Sequence, residues 1–179
     1  MNIWHSVNAN RIKKNEFLAC IEISKGSNNK YELDKEAGAL ILDRILYTAT
    51  HYPHNYGFIP KTLSNDGDPL DVLVLCSEPM VPLSLTVARP IGVLHMTDGG
   101  KNDEKIIAVC AHDPVYSGYK DISELPKHVA EEIAHFFAVY KQLEPNKQTE
   151  VGKLEGRIGA EKAVQEAIDL YQARFGGAF

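Results

Sequence analysis

The chain has 179 residues, 44% of them hydrophobic, and a formal net charge of −5 at pH 7. That length and apolar content predict one folded domain, 1–179, with a sizeable core, and argue against disorder. The acidic balance argues against binding nucleic acid or an anionic membrane through bulk charge.

From the N-terminus, MNIWHSVNANRIKKNEF has no apolar stretch of the kind a signal peptide needs. FLACIEI (Phe17 to Ile23) predicts a strand, SKGSNN a turn, and KYEL (Lys30 to Leu33) the return strand of a hairpin. Alternation sets Lys30 and Glu32 on one side and Tyr31 and Leu33 on the other, with Glu22 on the partner strand. ALILDRIL (Ala39 to Leu46) predicts another strand or hairpin, interrupted by Asp43 and Arg44. HYPHNYGFIP, punctuated by Pro53, Gly57 and Pro60, reads as a rigid, partly buried loop. DVLVLC (Asp71 to Cys76) is a short, continuously apolar run after its first residue, the pattern of a fully buried strand. Leu85 to Met96 and Lys105 to Ala111 add strands joined by the polar loop TDGGKNDE. The period then changes. Lys127 to Leu143 carries Val129, Ile133, Phe136, Phe137 and Tyr140 at helical spacing, with Pro126 at its start. Ala160 to Phe175 predicts a second helix closed by Gly176 and Gly177. Strands first and helices last predict a mainly β fold of the α+β class. A small barrel that hides its own edges, flanked by helices, is the simplest such arrangement.

Cys20, Cys76 and Cys110 are far apart in sequence and form no CxxC pair, so they read as buried thiols of a reducing compartment. No run approaches the ~20 apolar residues of a membrane span. A cytoplasmic protein is expected. The histidines His51, His54, His95, His112, His128 and His135 show no metal-ligand spacing. His135 suits a subunit contact.

The most informative stretch is NDGDPLDV, which sets Asp66, Asp68 and Asp71 side by side. Like charges so close repel, so the stretch is either a solvated acidic turn or a cation site. An EF-hand loop fails on detail: counted from Asp66, position six is Asp71 instead of glycine and position twelve is Ser77 instead of glutamate. A magnesium site for phosphate chemistry fits better, since Mg²⁺ takes oxygen ligands and paired ions need a shared carboxylate. Asp66 in a loop and Asp71 at a strand start can converge, with Asp68 left to face a bound water. Asp98 and Asp103 supply a second acidic loop, followed at once by Lys105. Lys30, Arg44 and Lys141 are cations beside apolar segments, where a lone charge is costly. With Tyr52 and Tyr56, these are the groups that phosphoryl hydrolysis uses.

DGDPLDV, its approach YPHNYGFIPKTLSNDGDPLDVLVL, and the segments EISKGSNNKYELD, LDRIL, MTDGGKNDEKIIAV and HFFAVYKQLE, in this order and spacing, resemble the family I soluble inorganic pyrophosphatases of bacterial type. The resemblance implies a five-stranded OB-like β-barrel with helices outside, and a Mg²⁺-dependent hydrolase of pyrophosphate with several ions per subunit. It implies metal ligands at Asp66, Asp71 and Asp103, with Asp98 and Asp103 serving an ion that arrives with substrate and Glu22 a further one. Asp68 becomes the proton acceptor. Lys30, Arg44, Tyr56, Lys105, Tyr140 and Lys141 become phosphate contacts, Glu32 supports the site through water, and Tyr52 lines it. A homohexamer is implied too, with the helix Lys127 to Leu143 available for its interface. The likeness weakens after Lys141. NKQTEVGKLEGRIGAEKA stands where members carry a valine-rich strand ending in Gly-Trp, which bears on the packing of the final helix and on the oligomer.

Two competing readings share parts of this pattern. A non-catalytic OB module binding single-stranded nucleic acid would stack bases on Tyr52, Tyr56 and Phe58, but the acidic cleft opposes it. A metal-dependent hydrolase of nucleotides or other organic phosphates would share the site, yet the sequence shows no base-binding element.

Overall fold

The computed structural model describes residues 2–146 and 148–176; Gly177, expected beside Gly176 at the end of the last helix, lies outside them. In chain order the elements are α1 (Ile3–Ser6), β1 (Ile12–Lys13), β2 (Glu16–Ile23), β3 (Asn29–Leu33), β4 (Leu40–Ile45), β5 (Asn55–Phe58), β6 (Asp71–Leu75), β7 (Leu85–Asp98), β8 (Lys101–Cys110), α2 (Lys127–Val139), β9 (Thr149–Gly156) and α3 (Arg157–Phe175). Strands β2, β5, β6, β8 and β7 pair in that order, and β7 pairs back onto β2, so five strands close into a ring. Closure leaves no long unpaired edge inside the barrel. The barrel and the strands-then-helices order match the expected fold class.

Ring closure explains where local expectation failed. KYEL does not return along FLACIEI; β3 pairs with β4 as a separate two-stranded sheet. Strand β2 has no free edge to offer, because β5 takes its Cys20–Ile23 end and β7 its Phe17–Cys20 end. The HYPHNYGFIP stretch is not all loop: Asn55–Phe58 is a fully buried strand between β2 and β6. Gly57, which suggested a turn, marks a close approach of backbones. A Cβ there would lie 1.8 Å from the Cys20 carbonyl oxygen. TDGGKNDE is likewise mostly strand, with β7 and β8 joined at Gly99 and Gly100, both at positive φ (56° and 80°).

The two sides of β6 and β8 enter different cores. Val72, Val74, Ile106 and Ala108 pack with Ala160, Ala163, Val164 and Ala167 of α3. Leu73, Leu75, Ile107 and Val109 pack with Ile133, Phe136 and Phe137 of α2. Helix α2 starts after Pro126, whose ψ of 131° is non-helical, and ends at Val139, so Tyr140 and Lys141 leave it. The divergent segment still forms a strand, β9, on the free half of β7. Helix α3 follows at once and begins at Arg157, whose N–H donates to Asp121 Oδ2 at 2.8 Å.

His54 is buried, and among the described residues neither ring nitrogen has a hydrogen-bond partner. Burial first, and then the Lys25 cation, push its pKa down to about 4. The unfolded chain therefore binds this proton more tightly than the native one, and the stability involved is intact above about pH 6.5 and lost as pH falls towards 4. Urea unfolding of the parent should lose about 2 kcal/mol between pH 7 and pH 4.5 that a His54→Leu variant keeps. Equal pH dependence in the two proteins would remove this assignment.

Candidate active site

The site grows from the row of side chains that β6 and β8 present to the α2 core. Along that row Leu75, Leu73, Val109 and Ile107 are apolar, and at the strand starts the same side turns polar as Asp71, Asp103 and Lys105. The parallel register sets Asp71 directly opposite Lys105. The Lys105 ammonium lies 2.5 Å from Asp71 Oδ2 and 2.7 Å from Asp103 Oδ1, and donates to the Tyr56 hydroxyl at 3.2 Å. Burial disfavours its charge, but Asp71 and Asp103 outweigh burial and hold its pKa above the ordinary lysine value. Burial raises the Asp103 carboxyl despite the neighbouring Lys105 cation.

The NDGDPLDV stretch supplies the adjacent wall. Asp66 Oδ1 accepts the Asp68 N–H at 2.9 Å, and Ser64 N–H donates to the Asp68 carbonyl at 2.7 Å. Gly67 turns the chain at φ 92°, a conformation open to glycine at little cost. Leu70 N–H then donates to Thr62 Oγ1 at 2.9 Å, which anchors the return to β6. Asp68 is left exposed and paired with Lys35. Burial raises the Asp66 carboxyl.

Glu22 of β2 is buried, and its Oε1 accepts the Leu33 N–H at 2.7 Å. Burial, reinforced by the Asp71 carboxylate, pushes its pKa up to about 8. Lys30 pairs with Glu32 beside it and lies 3.8 Å from Asp43. Lys141, just beyond α2, pairs with Asp98 at the end of β7. Burial raises the Tyr56 and Tyr140 phenols, which therefore stay protonated as hydrogen-bond donors.

Twelve of the residues singled out in the sequence thus line one pocket of about 270 Å³: Glu22, Lys30, Glu32, Tyr56, Asp66, Asp68, Asp71, Asp98, Asp103, Lys105, Tyr140 and Lys141. Two do not line it. Arg44 sits across β3–β4 from Lys30, with Nε 2.6 Å from Glu144 Oε1, Nη1 2.5 Å from Asp43 Oδ2, and a buried Nη2 that has no hydrogen-bond partner among the described residues. Tyr52 is buried behind the pocket, its ring 5.3 Å from that of Tyr56 and 4.8 Å from that of Phe136. The pocket also includes Trp4 and Lys35, which the sequence reading passed over. Trp4 is fixed by its Nε1–H to the Thr62 carbonyl at 2.8 Å, and Lys35 lies 5.2 Å over its ring. Neither belongs to a strand-alternation pattern, so only tertiary packing reveals them.

As they stand, among the described residues, no three acidic, histidine or cysteine side chains converge tightly enough to grip an ion. Ammonium groups lie among the carboxylates instead: Lys105 between Asp71 and Asp103, Lys141 on Asp98, Lys35 on Asp68. The donor set is nevertheless of hard oxygen type, with seven carboxylates facing four ammonium groups around one cavity. It can bind cations and, through its lysines and phenols, a compact anion. Tyr52, Tyr56 and Phe58, the aromatics a base would stack on, are all buried.

A family model described as inorganic pyrophosphatase matches residues 19–172. A soluble inorganic pyrophosphatase of Chlamydomonas reinhardtii is 50% identical over 173 residues, covering 96% of this chain and 89% of that protein. One of Zea mays is 49% identical over 168 residues, covering 94% and 78%. Among solved structures, the Helicobacter pylori inorganic pyrophosphatase superposes with a TM-score of 0.87 at 49% identity, covering 90% of this chain and 96% of that one. That of Thermus thermophilus gives 0.92 at 39% identity, covering 96% and 99%.

Proposed function

The chain belongs to the inorganic pyrophosphatase family, hydrolases that split pyrophosphate into two orthophosphates, and from that premise we propose how its own residues carry the reaction. The observation that bears most weight is the single pocket in which seven carboxylates from β2, β3, β7, β8 and the 66–71 segment meet four lysines.

Asp66, Asp71, Asp98, Asp103 and Glu22 would hold Mg²⁺, several ions per subunit. When bound, the ions offset the charge of the substrate and lower the pKa of the attacking water. Asp68, exposed on a turn held by Asp66 and Gly67, is placed to accept a proton from the attacking water. Lys30, Lys105 and Lys141 neutralise the phosphate oxygens as charge builds on the leaving group. Tyr56 and Tyr140 donate hydrogen bonds, with phenols that burial keeps protonated. Arg44 contributes from β4; its buried Nη2 is a donor with no acceptor among the described residues. Glu32 supports the site through its pairing with Lys30, and Tyr52 backs Tyr56.

The chain 1–179 acts as one catalytic domain and works in the cytoplasm as a homohexamer. The exposed apolar residues Ile41, Leu42, Ile45 and Tyr47 on and just after β4, and Val81 and Leu83 before β7, support self-association. Among the described residues no helix is long and apolar enough to cross a membrane. Neither membrane nor nucleic acid is a partner. The pocket, about 270 Å³, accommodates a compact anion and its counter-ions.

Phosphate release from pyrophosphate should require added Mg²⁺ and exceed release from ATP under the same conditions by at least about 100-fold. Release undiminished in excess chelator, or ATP turned over as fast as pyrophosphate, would overturn the metal or the substrate assignment respectively.

A further inference from the structure

Strands β6 and β8 pair in parallel with Leu75 opposite Val109. Carried one residue further, that register sets Cys76 beside Cys110. The two side chains face the same way: Cys110 belongs to the cluster of Val72, Val74 and Ala108, and Cys76 packs against that cluster. Neighbouring strands run about 4.8 Å apart, within the ~4.4–6.8 Å between Cα atoms that a disulfide spans. The two sulfurs also lie within electrostatic reach of each other. Cys20 is elsewhere, fully buried on β2 with Trp4 and Phe58. Cys76 is partly exposed, so a small oxidant reaches the pair from that side.

We propose that Cys76 and Cys110 are a modification site: a hydroperoxide converts them to a reversible disulfide that ties together the C-terminal ends of the strands whose other ends carry Asp71, Asp103 and Lys105. The O–O bond of the peroxide breaks as the Cys76 sulfur takes one oxygen, giving a sulfenic acid and one water (an alcohol, if the peroxide is organic). The Cys110 sulfur then attacks, the S–O bond breaks, the S–S bond forms and a further water leaves. Two thiols are oxidised and one peroxide is reduced. In the reduced state the Cys76 thiol interacts with the Asp113 carboxylate and Cys110 Sγ lies 3.4 Å from Thr86 Oγ1; the bond replaces both contacts. Burial, with Asp113 adding to it, holds the Cys76 thiol up at about 11, so thiolate is scarce and the reaction slow at neutral pH. The exposure of Cys76 makes the bond reducible by small thiols. Cys76 lies five residues beyond Asp71, a span of about 17 Å along a strand. The link therefore stiffens the strand pair without entering the pocket.

The test treats the purified full-length protein with hydrogen peroxide for hours, then counts thiols in denaturant and maps peptides by mass. Titratable thiols should fall from three to one. A peptide joining Cys76 to Cys110 should appear, dithiothreitol should restore all three thiols, and the thermal midpoint of the oxidised protein should rise by several degrees. Cys76→Ser and Cys110→Ser should give no linked peptide. Three thiols remaining, a link through Cys20, a link between two chains, or sulfinic acid at Cys76 with no link would each overturn the proposal.

Discussion

Lys105→Met is expected to lower stability by about 3–5 kcal/mol, the usual cost of removing one partner from a buried charge cluster, and to lower kcat/KM for pyrophosphate by at least about 100-fold. The ammonium is buried and touches Asp71, Asp103 and Tyr56 at once. Methionine fills similar space but leaves the two carboxylates facing each other with no cation between them, and Glu22 adds a third beside Asp71. The lost stability should return in large part when Mg²⁺ is added, because an ion that binds the native state stabilises it by mass action. The parent should gain less from Mg²⁺, since its carboxylates already have a partner. The activity should not return, because the ion does not replace a donor to the phosphate. Denaturant unfolding with and without Mg²⁺, alongside phosphate release, separates the two roles. Parent-like stability in the absence of Mg²⁺ would mean that Asp71 and Asp103 do not depend on Lys105. Lys105→Arg should fail as a substitute, since a planar guanidinium does not fit between two carboxylates on adjacent strands as a compact ammonium does.

Asp71→Asn should lower kcat/KM by about 1,000-fold or more, near 4 kcal/mol of transition-state stabilisation, with little change in the melting temperature. The amide has the shape of the carboxylate, so β6 and its register with Lys105 persist. Removing the charge weakens one hold on Lys105 but relieves Glu22, whose pKa the Asp71 carboxylate raises. The two effects on folding oppose each other. The effect on chemistry has no such offset, because Asp71 is one of the carboxylates proposed to hold the metal ions. Isothermal titration with Mg²⁺ should show weaker binding in parallel with the lost activity. Activity within about tenfold of the parent would sink the assignment of Asp71 as a metal ligand.

The positions of individual strands were legible where alternation or an unbroken apolar run marked them, as in β2, β6 and the middle of β7 and β8. They were illegible where glycine carried a second meaning. Gly57 reads as punctuation but serves backbone approach, which hides β5 in the sequence. Gly99 and Gly100 close a hairpin so tight that most of the acidic loop around them is strand. The β3 partner is not the strand next to it in sequence, because β2 is paired on both sides by β5 and β7. The segment 149–156 has few of the β-branched residues that mark a strand, and it becomes β9 because half of β7 would otherwise be an open edge. Cys76 and Cys110 looked unrelated for the same reason: their proximity comes from a parallel register across a long crossover.

By itself the sequence determined which chemical groups were available and how they sit over a few residues. Asp103 and Lys105 share a side because strands alternate, and Asp66 and Asp68 share a turn because Gly67 permits it. Only the tertiary structure decided that Asp71 meets Lys105, that Lys141 reaches Asp98, and that Glu22 is buried beside them. Local propensities act over a turn of helix or a pair of residues. The pairings that build this pocket are chosen by closing a five-stranded ring, and the energy of that choice is spread over contacts far apart in the chain.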